Sequence, residues 1–452
     1  MKEARASEVQ IVGSDYSNIA AHRDDLGKAL RAEHNFKAAI EVYRAALQRE
    51  AELELLPKRY YDLGAALRQD GDLEAAAYLR KAVACSKPLV VAASLNELGL
   101  TLREQKDYKG AAEQFERGVE VARELLGDDH PAVGTYRSNL GQTLPLLGDF
   151  TKSGEHLLAA LENAVRTCGP FHPLVSTRRM HLAQSYLIRG KYLDAQSQFE
   201  LELTHARWIG SPSLVAKVTF NLGVVARRSG RVETAIELLR SALELGVGWF
   251  DASAFANVRA ELGAALRDHG DFQGAVDVLS AALLIVQSPE DASALATLRL
   301  HLGHALQDQG HLDQALECFQ LALTSDLATY GPGHTRVAGD QSAMGALLCK
   351  SPNLGNEVGR NDGNLERGVE LIKTALESDL RSLGPDHPSV ATHRRHMARA
   401  LQQKGDYPAA ISYFRAALDS DRNCLHDEHP RVVNGRQELK FAILAWYQSS
   451  PV

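Results

Sequence analysis

The stretch from Leu262 to Leu283, LGAALRDHGDFQGAVDVLSAAL, constrains the fold more than any other, because the chain is assembled from near-copies of it. Leu262 and Leu266 lie about one helical turn apart, Gly270-Asp271 interrupts the run, and Ala275, Leu279, Ala282 and Leu283 resume it. Apolar residues at a period of about 3.6 on both sides of a Gly-Asp turn predict two short amphipathic helices folded into a hairpin. Gly263 and Ala275 are small where the two helix axes must approach. One such hairpin cannot bury its apolar face alone, so it requires copies stacked beside it.

The copies run through the chain. The opening pair recurs as Leu26-Gly27, Leu63-Gly64, Leu98-Gly99, Leu140-Gly141, Leu182-Ala183, Leu222-Gly223, Leu302-Gly303, Met344-Gly345 and Met397-Ala398. A small residue follows at Ala39, Ala76, Ala111, Ser153, Ala195, Ala235, Ala315 and Ala410, and a large one four further on at Tyr43, Phe115, Leu157, Phe199, Leu239, Phe319 and Phe414. Ten copies extend from Leu26 to Leu418. In the second, Ala75, Leu79 and Ala82 fit one residue early, which predicts a shortened turn at Gly71-Asp72.

This pattern resembles the tetratricopeptide repeat, L-G-x2-Y…A-x3-F, with its period stretched from about 34 toward about 40 residues. The joints narrow the resemblance: Gly127-Asp128-Asp129-His130-Pro131, Gly169-Pro170-Phe171-His172-Pro173, Gly331-Pro332-Gly333-His334, Gly384-Pro385-Asp386-His387-Pro388 and Asp427-Glu428-His429-Pro430. Glycine stops one helix and proline starts the next, where its missing N–H costs nothing. Such joints are similar to those of kinesin light chain, nephrocystin-type proteins and the arrays of bacterial signalling (STAND-type) NTPases. His172-Pro173 leading to Arg178-Arg179 and Leu182-Ala183 is similar to the last group. The resemblance implies an all-α, right-handed α-solenoid, a TPR superhelix of about ten helical hairpins with a C-terminal capping helix. It also implies an inner wall that holds peptides or helices.

The expected organisation is a flexible tail over residues 1–16, the superhelix over 17–429, and a capping helix and tail over 430–452. Val432, Val433, Leu439, Phe441, Leu444 and Trp446 mark the cap, since solenoids need a closed end. Residues 351–364, SPNLGNEVGRNDGN, form a Gly- and Asn-rich insertion in repeat nine, expected to be a mobile surface loop.

The formal charge of −7 argues against a general nucleic-acid binder. The five cysteines are scattered and odd in number, as reduced thiols in a cytoplasmic protein would be. No apolar stretch is long enough to span a membrane, and the N-terminus carries no secretory pattern. There is no Gly-x-x-x-x-Gly-Lys-Ser/Thr, His-Glu-x-x-His or Gly-x-Ser-x-Gly, so the expectation is a non-enzyme without cofactor. The joint histidines recur one repeat apart and cannot converge on one metal; local hydrogen bonding at helix starts is their expected role. His301 and His304 are read as surface or groove residues.

Binding residues are sought on the first helix of each repeat. With Leu262 as position 7, positions 4, 7, 8 and 11 serve packing, and positions 2, 5, 9 and 12 form a second stripe. By the resemblance this stripe faces the concave groove. Position 12 holds Arg31, Arg68, Arg103, Arg227 and Arg267, suited to an acidic segment or paired with acids such as Asp70, Glu104 and Asp268. Between them lie Met180, Leu187, Ile188, Phe220 and Val224, an apolar cluster flanked by Asn139, Gln142, Gln184 and Asn221. A second series, Arg23, Arg137, Arg179, Arg259, Arg299 and Arg394, falls at position 4 and is expected to be structural.

The function expected is a protein–protein interaction module gripping a peptide, helix or protein segment in its groove, as scaffold or regulator. The alternative is a sensor whose superhelix changes shape on binding a ligand or peptide. Partners are proteins or peptides, with no membrane and no nucleic acid; homo-oligomerisation stays open.

Overall fold

The computed structural model describes residues 25–48, 56–84, 88–147, 149–286, 291–351, 354, 363–425, 427 and 429–449. The expected tail at 1–16, Arg23, Cys85 and most of the insertion 351–364 lie outside them. Among the described residues there are helices and turns and no strands. The chain divides into two compact units, residues 1–178 and 179–452.

The first unit contains the hairpins α1 (25–32) and α2 (Phe36–Gln48), α3 (Leu56–Asp70) and α4 (Ala75–Ala84), α5 (Pro88–Glu104) and α6 (Tyr108–Leu126), and α7 (Pro131–Thr143) and α8 (Phe150–Cys168). Helix α9 (Pro173–Ile188) carries the division. The second unit continues with α10 (Tyr192–Trp208), α11 (Pro212–Arg228), α12 (Val232–Leu245), α13 (Ala252–His269), α14 (Phe272–Ile285), α15 (Ala292–Gln309) and α16 (Leu312–Tyr330). It ends with α17 (Thr335–Lys350), α18 (Gly363–Leu383), α19 (Pro388–Gln403), α20 (Tyr407–Cys424) and α21 (Pro430–Ser449). Within each unit a helix packs on the next in sequence, and first helices pack on first helices of adjacent hairpins, as α3 does on α5 and α13 on α15.

The repeated spacing has a steric origin. Gly303 of α15 faces Phe319 of α16 so closely that a Cβ there would lie 2.6 Å from the ring. The same pairing joins Gly99 to Phe115 and Gly263 to Leu279. In the second hairpin Gly64 meets Leu79, and Ala75, Leu79 and Ala82 are fully buried, as the one-residue shift requires.

The tightest seam lies between α17 and α18. A Cβ on Gly345 would come 2.7 Å from the carbonyl oxygen of Gly368 and 2.9 Å from Ile372 Cγ1. Backbone cannot step aside as a side chain does. Gly345→Ala is therefore expected to destabilise by roughly 1–3 kcal/mol, although alanine is favoured in helices by about 1 kcal/mol. Gly339→Ala on the same helix, where a Cβ meets nothing within 4 Å, is expected to be neutral or stabilising. Urea denaturation of both variants distinguishes the seam from helix propensity.

The joints are built around histidine. His130, His172, His334, His387 and His429 each accept, through Nδ1, the backbone N–H two residues ahead at 3.1–3.2 Å. Accepting at Nδ1 places the ring proton on Nε2. That proton has a use at two joints of the second unit. His387 Nε2–H donates to Ile188 O at 2.7 Å, and His429 Nε2–H donates to Arg228 O at 3.1 Å. Tyr192 packs beside Leu418, Leu425 and Val432 in the same region, and Pro430 sits over Gly230. The last joints thus rest on the C-terminal ends of α9 and α11, turning the second unit back on itself.

Candidate functional site

The position-12 arginines obey a rule that extends from one hairpin to the next. Arg31, Arg68 and Arg227 are each gripped by the residues one before and six after the opening Leu of the following hairpin, whereas Arg267 meets the second of these, Asp308, and takes its own neighbour Asp268 in place of the first, which is His301. Arg31 lies 2.8 Å from Gln69 and 4.0 Å from Asp62. Arg68 reaches Glu97 at 2.8 Å and Glu104 at 2.9 Å. In the second unit Arg227 reaches Glu261 at 2.7 Å and Asp268 at 3.1 Å, with its side chain 9% exposed. Arg267 reaches Asp268 at 3.1 Å and Asp308 at 3.8 Å. These four cations are therefore committed to neighbouring side chains. At Arg103 the corresponding positions hold Asn139 and Leu146, and burial lowers its pKa. Asn139 donates instead to Asn96 at 2.8 Å, and Gln142 to Ser138 O of its own helix at 3.2 Å.

The apolar candidates differ among themselves. Ile188 is 44% exposed and Gln184 is exposed, whereas Met180 and Leu187 are half-buried against the cluster around Phe199 and Val218. Phe220 is half-buried against the large core that contains Leu239 and Leu262. The expectation of an exposed Val224 is corrected: it is 7% exposed, because its side of α11 is turned into the body. Asn221 donates to Lys217 O within the same helix. The position-4 arginines are spent locally: Arg137 on Asp128, Arg179 on Glu202, Arg259 over Phe255, and Arg394 on Pro385 O and Ala416 O.

A cavity of the second unit lies elsewhere. A space of about 750 Å³ is lined by Arg267, Asp268, Leu300, His304, Asp308, Thr335, Gly339, Ser342, Asp379, Ser389, Thr392, His393, His396 and Arg399. An adjoining space of about 680 Å³ shares His304, Asp308, His396 and Arg399 and adds Gln307, Ala346, Cys349 and Gln402. Of the sequence candidates only Arg267 lines it. The stripe rule nevertheless describes it in hairpins eight to ten: Leu300, His304 and Gln307; then Gly339, Ser342, Ala346 and Cys349; then Thr392, Arg399 and Gln402. His304, assigned to surface or groove, is a groove residue.

The electrostatics are set by burial. Burial, opposed by the Glu261 carboxylate and assisted by Arg227 and Arg267, drives His301 down to about 3. His396 falls to about 3 through burial, His393 and Arg399, and His304 drops well below its ordinary value through burial and Arg267. All three are neutral near pH 7. Burial pushes Glu261 up, but the Arg227 and Arg228 guanidinium groups outweigh it and hold the carboxylate at about 2. His393 and Asp379 form a pair at 2.9 Å, 3% and 1% exposed, in which His393 Nδ1 and Asp379 Oδ1 have no partner among the described residues. The wall is suited to polar recognition. No group of three or more potential metal ligands converges among the described residues.

A row of helical hairpins whose first helices wall a polar cavity defines a helical-repeat protein. The chain is a tetratricopeptide-repeat protein by the repeats it carries: models of that repeat match residues 91–132, 181–248, 296–329 and 358–423. No curated protein matches the chain. Among solved structures it is similar to the apo form of RapI, at 12% identity and a TM-score of 0.56, over 80% of this chain and 97% of that one. It is also similar to a Rap protein complexed with competence and sporulation factor, at 13% identity and a TM-score of 0.51, over 94% of this chain and 99% of that one. A weaker likeness to BtubC (BKLC) from P. vanneervenii covers 48% of this chain and 89% of that one, at 19% identity and a TM-score of 0.42. These likenesses concern the fold. No described helix is long and apolar enough to cross a membrane.

Proposed function

We propose that the protein is a non-enzymatic interaction module that seats a peptide or protein segment against the first helices of its hairpins, as scaffold or regulator. The observation that carries this reading is the cavity of about 750 Å³ in the second unit, walled by the binding stripe of consecutive hairpins. That size lies within the range of about 300–1,000 Å³ usual for ligand sites. A Rap protein of similar fold has been crystallised with competence and sporulation factor, which supports the reading that this architecture can hold such a factor. The half-exposed patch of Met180, Gln184, Leu187 and Ile188, with Phe220 and Asn221, is a proposed second contact, and Arg103 with Asn139 and Gln142 a proposed contact of the first unit.

A random peptide library displayed against the purified protein tests this. Peptides recovered by the wild type should be lost, at least tenfold, on Ala346→Trp, which fills the adjoining space that shares His304, Asp308, His396 and Arg399 with the cavity, and weakened by Leu187→Asp with Phe220→Asp. Recovery unchanged by Ala346→Trp in a folded variant rejects the cavity as the site.

The two hydrogen bonds that return the last joints onto α9 and α11 favour a second reading, a sensor. Contacts of this kind can be made or broken by a ligand that binds one arrangement more tightly than the other. A change in radius of gyration by small-angle X-ray scattering on adding a recovered peptide supports it; unchanged scattering at saturation removes it.

A further inference from the structure

Three joints of the second unit share one design, and the middle one lacks a part. At the first, Arg336, two residues beyond the capping His334, donates to Asp326 at 2.9 Å, Ser293 O at 2.8 Å and Thr297 Oγ1 at 2.6 Å. At the third, Arg431, two beyond His429, meets Asp421 at 3.0 Å, Pro388 O at 2.9 Å and Thr392 Oγ1 at 3.1 Å. Each guanidinium spans an acid ten residues earlier in the chain and the first turn of the preceding first helix. At the middle joint the acid is present as Asp379, but the residue two beyond His387 is Ser389. The positions that match Ser293 and Thr297 are Thr335 and Gly339, and the cavity is lined by Thr335, Gly339, Asp379 and Ser389 together.

From this we propose that the cavity wall at Asp379 and Ser389 is a receptor for a guanidinium group, supplied by an arginine side chain of the bound segment. This deepens, and rests on, the reading of the cavity as a partner site. Asp379 is 1% exposed and its Oδ1 accepts no hydrogen bond among the described residues, a costly state for a buried acceptor. Its hydrogen bond from His393 Nε2–H comes from one turn further along α19, and Thr335, Gly339 and Ser389 at the guanidinium position line the cavity. The cations already in the cavity do not fill it: Arg267 is held by Asp268, and Arg399 by Glu438. His304 and His396, held neutral, add no competing cation at this wall. A planar fork satisfies an acid and a carbonyl together, as Arg336 and Arg431 do; an ammonium does so less well.

The test uses N-acetyl-arginine amide, with the lysine amide and the neutral citrulline amide as comparisons, titrated into the whole protein by saturation-transfer NMR. The arginine probe should bind at least tenfold more tightly than citrulline and measurably more tightly than lysine. Asp379→Asn should abolish that preference. Ser389→Arg, which supplies the chain's own guanidinium, should both abolish probe binding and raise the melting temperature, so that lost binding is not lost folding. No binding, equal binding of arginine and citrulline or of arginine and lysine, or wild-type binding by Ser389→Arg overturns the proposal. Library peptides that still depend on Ala346 but carry no arginine overturn this inference alone and leave the cavity reading standing.

Discussion

Phe319→Ala is expected to cost about 3–5 kcal/mol, the range for emptying a fully buried aromatic site. Phe319 is 0% exposed, lies against Gly303, and its ring meets the His304 ring edge-on at 5.0 Å between centroids. The seam cannot close over the gap, since the distance between α15 and α16 is also set by Ala305 and Ala315, both fully buried. Phe319→Leu is the control. Leu79, Leu239 and Leu279 fill the same position over Gly64, Gly223 and Gly263, so the exchange should cost less than about 1.5 kcal/mol. In a repeat array each hairpin is stabilised by its neighbours, so weakening one also weakens the link across it. The urea transition of Phe319→Ala should therefore broaden as well as shift. A single sharp transition within 1.5 kcal/mol of the wild type, a margin of about one methylene-scale change, contradicts this account of the seam.

The seams were legible in the sequence because each residue does one job and the job is repeated. A glycine that must admit Phe319, Phe115 or Leu279 cannot vary without moving a helix, and even the shift at Ala75 and Leu79 could be read. The joint histidines were readable for the same reason, as caps on helix starts. The fate of the arginines was less so. Glu104 and Asp268, named as acids beside the arginines, do hold guanidinium groups, but chiefly those of the preceding hairpin, Arg68 and Arg227, with Glu97 and Glu261 as the second partners. Aligning the repeats in columns exposes this, since acids stand at both gripping positions after Arg68 and Arg227 and are replaced by Asn139 and Leu146 after Arg103. The cavity had no such signal. Its lining is gathered from α13, α15, α17, α18, α19 and α21, and the joints at His387 and His429 of the same unit return onto Ile188 and Arg228, about 200 residues away in the chain. Closure of that kind accumulates from small rotations at every seam, and no local pattern encodes it. The missing arginine at Ser389 was visible, but only as one serine among several joint variants.

Glu261→Ala should be the most damaging change on the polar wall, costing roughly 3 kcal/mol, the lower end for breaking a buried ion pair. Arg227 would keep Asp268 but lose its closer partner, and Arg228, 3.7 Å from Glu261 Oε1, would lose its acid as well. The dependence on pH gives a sharper test. Glu261 is held at about 2, below its ordinary 4.5, so the folded state favours its ionised form. That contribution is complete above pH 4.5 and is lost as the pH falls toward 2. His301 and His396, held at about 3 against an ordinary 6.5, are buried neutral, and the unfolded chain takes up protons first. Their contribution is complete above pH 6.5 and is lost between there and pH 3, each at up to about 1.4 kcal/mol per pH unit. From these three groups stability should begin to fall near pH 6.5 and fall faster below 4.5. Glu261→Ala should keep the first limb and lose much of the second. Since Glu261 favours the charged form of His301, its removal should also make the first limb steeper toward its acid end. Asp340, which burial and Asp326 raise to about 8, works in the opposite sense and gains stability as the pH falls from 8 toward 3.8, so the histidine limb is read in Asp340→Asn: urea midpoints of that variant flat from pH 7.5 to 5.5 would mean that His301 and His396 are not buried neutral.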